Sequence, residues 1–412
     1  VACDDYTFVS VWSDTRDGIR GIYAQKVDEN GNSLWGETGI EIFQDNSMQD
    51  HPIAISSNDN TVIVCWKDYD AIDVYSSQIR VQKIDANGYL LWGQEGILLE
   101  ESGANGWNPQ MVKHSDGGVF IIWNETPQSD IKGIRLLADG SIADGWGQGI
   151  ELFSALYIYE AHSDQMDGLI LSSALTNDIY VQRVDEDGNK LWGYNGTLLY
   201  NGSEWIDEVD ICSSIIGEYY FSWRTNEQNS WEEVYMQKAD SNGAPIWQTP
   251  VMISEAGYIQ RFLTICSSDS QPIITWVIGE TIYSQKIDSD GNLLWGEDGI
   301  TVFESNYYLN KNSVILKEDY AGGCLISWLD YDNNYDESKI IVQKINENGD
   351  LIFEEDELII FESYEYNYYN LYSSLAISNQ KYYFCWLDNT DDSQSLIQQI
   401  IDGEGNIYLE EN

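Results

Sequence analysis

The sequence predicts an all-β fold, a single β-propeller over residues 1–412, with eight four-stranded blades as the first count and seven as the alternative. Three observations predict it. The stretch VQKIDANGYLLWGQEGILL at 81–99 returns in close copies at 23–42, 181–199 and 283–302, and in looser ones at 136–150, 237–253, 343–360 and 399–409. Such self-similarity marks a repeat array. A tryptophan closing a short apolar run recurs as Trp12, Trp66, Trp123, Trp223, Trp276, Trp328 and Trp386, and the step from Trp223 to Trp276 sets a period of 53 residues. Each period holds four strand-length runs, rich in β-branched and aromatic residues and parted by turn residues, which is the content of one propeller blade.

The clearest unit lies between residues 52 and 99. Pro52 to Ile55 forms a short apolar run, Thr61 to Trp66 alternates, Ile79 to Ile84 leads into the turn Asp85-Ala86-Asn87-Gly88, and Tyr89 to Leu99 completes it. Repeating this alignment places the blades near 1–49, 50–105, 106–155, 156–204, 205–257, 258–307, 308–366 and 367–412. Complete first strands begin near Pro52, Pro109, Tyr159, Glu208, Phe262, Ser313 and Tyr372. The missing one is read in Val1-Ala2-Cys3, so the first blade carries a clipped innermost strand. In the fourth unit Ala174 stands near the tryptophan position. Because the chain opens inside a repeat, it reads as a processed chain or a piece of a longer one.

Composition narrows the partners. The hydrophobic fraction is 43%, with 16 Trp, 28 Tyr and 10 Phe, which is ample for a core. A formal charge of −49, from 69 acidic against 20 basic residues, argues against nucleic acid or an anionic membrane surface. No apolar run reaches 18 residues, so no membrane insertion is expected. The six cysteines show no metal-ligand spacing. Cys3, Cys212 and Cys266 align at one repeat position, and Cys65 and Cys385 share another, so all six read as buried free thiols.

The repeated polar residues read as architecture. The turns opening at Asp28, Asp85, Asp185, Asp240, Asp288 and Asn346 place glycine fourth, whereas a calcium loop of the EF-hand kind places it sixth. They read as tight hairpins, with the Asp capping the turn and Gly supplying positive φ. No metal or cofactor is expected; if calcium binds, Asp28, Asp185 and Asp288 are the candidates. Three residues before each turn stands a glutamine, Gln25, Gln82, Gln182, Gln237, Gln285, Gln343 or Gln399, read as bonding backbone between sheets. The basic residues that follow, Lys26, Lys83, Arg183, Lys238, Lys286 and Lys344, read as lying over Trp or pairing with acids. Trp35, Trp92, Trp146, Trp192, Trp247 and Trp295 read as packing between blades.

The segments VWSDTRDG at 11–18 and IYAQKVDENGNSLWGETGI at 22–40 resemble the repeat of secreted bacterial β-propeller proteins, which are often large surface or exported polypeptides with C-terminal sorting domains. The resemblance runs over nearly the whole chain. It implies an extracellular or cell-surface location and little about activity.

Function is sought where the copies differ, because a core requirement would recur. Trp107, Trp205, Trp231, Tyr307, Tyr308, Tyr364, Tyr366, Tyr368 and Tyr369 break the repeat and read as binding residues in connecting segments. His51, His114 and His162 stand in separate units, with His51 and His162 near the starts of first strands. No HExxH or GxSxG motif is present, and no catalytic residue is assigned. The first reading is an extracellular, non-enzymatic module that binds a protein partner or self-assembles. The alternatives are a carbohydrate-binding propeller contacting extracellular glycan, and a polysaccharide-cleaving glycosidase.

Overall fold

The computed structural model describes the chain except residues 4–6, 17, 29–30, 70–76, 100–104, 127–129, 155–157, 215–216, 227–231, 258, 307, 332–337, 354–357, 364–373, 379–380, 389–394 and 408–412. Among the described residues there are eight antiparallel sheets, each a meander in sequence order. The fold class is all-β and of the propeller type, and its blade count fits eight.

The chain divides into two compact units, Val1–Leu175 with Ile179–Leu198, and Thr176–Asp178 with Leu199–Asn412. In the first unit the complete blades start with the inner strands Gln49–Ser56, Asn105–Lys113 and Ile158–Ser163. Its first blade is three-stranded, and Val1 and Val9 exchange backbone hydrogen bonds beside it, so the clipped innermost strand is present. In the second unit the inner strands are Trp205–Ser213, Ile259–Cys266, Tyr308–Glu318 and Ser374–Ser378.

Inside each unit the core lies in layers between successive blades. One layer joins Val9, Ile22 and Trp35 to Val62, Val64 and Trp66; another joins Ile274 and Trp276 to Cys212, Tyr220 and Met236. Each alternating strand therefore has two apolar faces, one for each neighbour. The second-strand tryptophans fill these layers: Trp66, Trp223 and Trp328 are fully buried. The pairing of Tyr159 with Ser173, like that of Val209 with Trp223, puts Ser173 rather than Ala174 at the tryptophan position of the fourth blade.

The hairpin reading of the acidic turns holds. Asp85 Oδ1 accepts the backbone N–H groups of Asn87 and Tyr89 at 2.8 and 2.9 Å, and Gly88 has φ +88°. Several of these turns also carry the tryptophan of the preceding blade. Trp35 Nε1 donates to Ala86 O at 3.2 Å, Trp92 Nε1 to Ala138 O at 3.3 Å, Trp146 Nε1 to Glu186 O at 2.8 Å, and Trp295 Nε1 to Glu347 O at 3.3 Å. The indole lies against the turn glycine: a Cβ on Gly349 would stand 2.9 Å from Trp295 Cδ1. Glycine at this place thus answers two demands, a positive φ and a flat neighbour.

Two expectations are corrected. The glutamines bond within their own blade: Gln82 Nε2 donates to Gly93 O at 2.7 Å while its Oε1 accepts from Lys83 N and Trp92 N. The amide locks the third strand to the segment after the hairpin, and so presents the tryptophan. The cysteines are not all free. Cys212 pairs with Tyr220, three residues before Trp223, whereas Cys266 pairs with Pro272, four before Trp276. This one-residue offset brings their Cα atoms to 5.3 Å, and they form a disulfide between adjacent inner strands. Cys3, Cys65 and Cys324 are buried free thiols as read, and the side chain of Cys385 lies outside the described residues.

Two measurements check this framework. Gly349→Ala is expected to cost about 2–3 kcal/mol in chemical denaturation, against about 1 kcal/mol for Gly93→Ala, since Gly93 has φ +82° but nothing within 4 Å of its Cβ direction. Equal losses would remove the indole contact from the account. Replacing Cys212 and Cys266 by serine opens a crosslink of sequence separation 54 and is expected to cost about 4 kcal/mol, read as a lowered thermal midpoint that reductant no longer changes.

Candidate functional site

The repeat register identifies one position on the inner strand, the partner of the residue before the second-strand tryptophan. Ile53, Leu263 and Ile315 occupy it in the second, sixth and seventh blades. Gln110, Glu160 and Asp210 occupy it in the third, fourth and fifth. Ser374 occupies it in the eighth blade, so an amide or a carboxylate stands there only in three consecutive blades among those described. Sequence reading missed this group, although it follows the rule applied to the aromatics, a departure from the repeat at a fixed place.

In the first unit these residues face an open depression of about 470 Å³ lined by Ile53, Gln110, Lys113, Glu160, His162 and Ser163 among others. Gln110 Nε2 donates to Glu160 Oε2 at 3.1 Å, and Gln110 Oε1 accepts Ala161 N at 2.9 Å. The amide so joins two inner strands and braces a carboxylate. Glu160 and His162 stand two residues apart on one strand, hence on the same face, with Nε2 to Oε1 at 4.0 Å and each about one-third exposed. His162 lies at the end of its strand rather than the start, and His51 is exposed at φ 54°. His114 is buried beside Asp116 at 2.8 Å, with the Arg135 guanidinium 3.2 Å from its Nδ1.

Trp107, Trp205 and Tyr308 do not lie in connecting segments. They sit near the N-terminal ends of inner strands, which run on past a bulge and keep pairing. The bulge also aims them. Trp107 pairs with Asn124 and Gln110 with Ile122, two positions apart on the partner strand, so Trp107 shares a face with Gln110 although they stand three positions apart on their own. Trp107 is 36% exposed and Trp205 62%. Tyr308 is exposed and its ring meets that of Tyr331 at a tilt of 36°, centroids 6.2 Å apart. Trp231, Tyr307, Tyr364, Tyr366, Tyr368 and Tyr369 lie outside the described residues.

In the second unit Asp210 Oδ2 accepts Thr264 N at 2.7 Å and its Oδ1 accepts Ile211 N at 2.8 Å. Burial pushes the Asp210 carboxyl above its ordinary range against these two donors, the Glu208 carboxylate adding to the rise and the Arg261 guanidinium opposing it. Glu208 and Glu232 are raised by the same loss of hydration, with Arg224 pulling each back.

The candidate cation residues serve their turns. Asp185 Oδ1 accepts Asp187 N and Asn189 N while Oδ2 accepts Asn189 Nδ2 at 3.0 Å, and Asp288 repeats the pattern. Asp28 accepts Asn32 N at 2.8 Å and Asn32 Nδ2 at 2.7 Å. With the oxygens engaged by the chain itself, a chelator is expected to leave the thermal midpoint where it was; a drop reversed by calcium would reassign these turns.

No protein-family model and no curated protein matches the chain. Among solved structures the chain is similar to a eukaryotic initiation factor at TM-score 0.48 and 11% identity, covering 97% of this chain and 86% of that one. A polysaccharide lyase aligns at 0.45 and 10%, covering 97% and 90%. An α-L-arabinofuranosidase from Fusarium graminearum aligns at 0.42 and 10%, covering 84% and 91%.

Proposed function

We propose that the chain is a carbohydrate-binding propeller that works outside the cell. The observation that carries this is the depression of the first unit, where Gln110, Glu160 and His162 present both donors and acceptors and the bulge turns the exposed Trp107 to the face of Gln110. Sugar hydroxyls need partners of both kinds, and the C–H face of a pyranose ring stacks on an indole. The Cys212–Cys266 disulfide supports an oxidising compartment, in keeping with an extracellular location.

A second reading, docking of a protein partner, draws on the residue before the fourth-segment aromatic. Leu34, Leu91, Leu191, Ile246, Leu294 and Ile352 are all large, apolar and 38–50% exposed.

Binding to immobilised neutral and acidic polysaccharides tests the first reading. Trp107→Ala and Glu160→Gln are each expected to weaken retention at least tenfold while the thermal midpoint stays within a few degrees. Chromatography of the incubated polysaccharide separates binding from cleavage. Retention unchanged in both variants, or no retention of any glycan, would overturn the assignment.

A further inference from the structure

We infer that the seam between the inner strands Trp205–Ser213 and Ile259–Cys266 is a second saccharide subsite, taking a neutral pyranose; this rests on the carbohydrate reading of the first unit. The two seams are built alike. Gln110 and Asp210 hold the same repeat position, and each accepts the equivalent backbone N–H of the next inner strand, Ala161 N in one and Thr264 N in the other. A bulge precedes both. Trp205 pairs with Asn226, Glu208 with Arg224 and Asp210 with Ser222, so the bulge brings Trp205, Glu208 and Asp210 to one face. The indole there is the more exposed of the two, at 62%.

Beside Glu208, on the face that the bulge gives to Trp205, stand polar groups whose bonding is incomplete among the described residues. Arg261 Nε is buried and has no hydrogen-bond partner among the described residues. Glu232, itself 7% exposed, holds an Oε2 that accepts no hydrogen bond and lies 3.5 Å from Arg224 Nη1. Arg224 donates to Ile259 O and Asp207 and stands 3.6 Å from Glu208 Oε2, which fixes the start of the seam. A vicinal diol, with hydroxyls that donate and accept, matches a carboxylate beside a guanidinium.

Charge selects the class. Asp207, Glu208, Asp210 and Glu232 face Arg224, Arg261 and, at longer range, Lys311. Four carboxylates against three cations leave a negative site once the carboxyls have ionised, which favours a neutral sugar and repels a uronate.

Isothermal titration of the intact protein with cellohexaose, maltohexaose, galactohexaose and hexagalacturonate tests this. A neutral hexasaccharide is expected to fill two sites, falling to one in Trp205→Ala and to one, the other, in Trp107→Ala. Glu208→Gln is expected to weaken the second site at least tenfold, which separates loss of contact from misfolding. A single site abolished by Trp107→Ala and untouched by Trp205→Ala and Glu208→Gln would overturn the second subsite alone. Hexagalacturonate preferred at the Trp205 site would overturn its neutral class. No saccharide bound at all would overturn both the subsite and the carbohydrate reading.

Discussion

The contact on which the rest depends is an indole laid on a glycine turn. A blade's ladder hydrogen bonds lie within its own sheet, apart from edge groups such as Ala161 N and Thr264 N, which donate to Gln110 and Asp210 of the preceding blade; what the sheet needs is cover for two apolar faces. Trp35 on the Asp85–Gly88 turn and Trp295 on the Asn346–Gly349 turn supply that cover and add one directional bond, from Nε1 to a turn carbonyl. The glutamine amide three residues before the turn sets the indole in place, since Gln82 holds both Trp92 N and Gly93 O. Three short elements, glutamine, turn and tryptophan, therefore specify both the blade and its distance to the next.

The basic residues after the glutamines work at the same junction. Lys83 Nζ donates to Gly117 O at 2.7 Å and Ala138 O at 3.3 Å, and Lys286 Nζ reaches Asp269 at 2.7 Å and Gly322 O at 2.6 Å. They bridge blades by capping carbonyls and acids, and the rings they approach are tyrosines, as Lys238 over Tyr220, rather than tryptophans. Lys238 and Lys286 each have oxygen partners on both blades, whereas both partners of Lys83 lie on the next one.

Legibility in the sequence followed repetition. The sheets, the hairpins and the indole contacts were readable because seven or eight copies report the same physical demand. The fourth blade blurred, since Ser173 has no ring to mark it. The disulfide is hidden for a related reason: the repeat gives Cys212 and Cys266 one position, and a single-residue slip in register separates two thiols held apart from two that bond. The setting of Trp107, Trp205 and Tyr308 was not legible, because a bulge adds a residue without changing composition. Gln110, Glu160 and Asp210 were hidden by the opposite effect: carboxylates and amides abound in so acidic a chain, and only the strand register shows that these three sit where isoleucine or leucine sits in the second, sixth and seventh blades.

The indole-on-turn contact also bears on how such a chain lengthens or shortens. Each contact joins the last segment of one period to the hairpin of the next, and each period carries one half of the contact at either end. Copying or losing one whole repeat therefore leaves each indole of these contacts with a glycine turn to lie on, whereas a cut within a repeat strands an indole on one side and a bare turn on the other. Selection on that single contact is enough to make the blade the unit in which the sequence can grow, independent of what any one blade has come to bind.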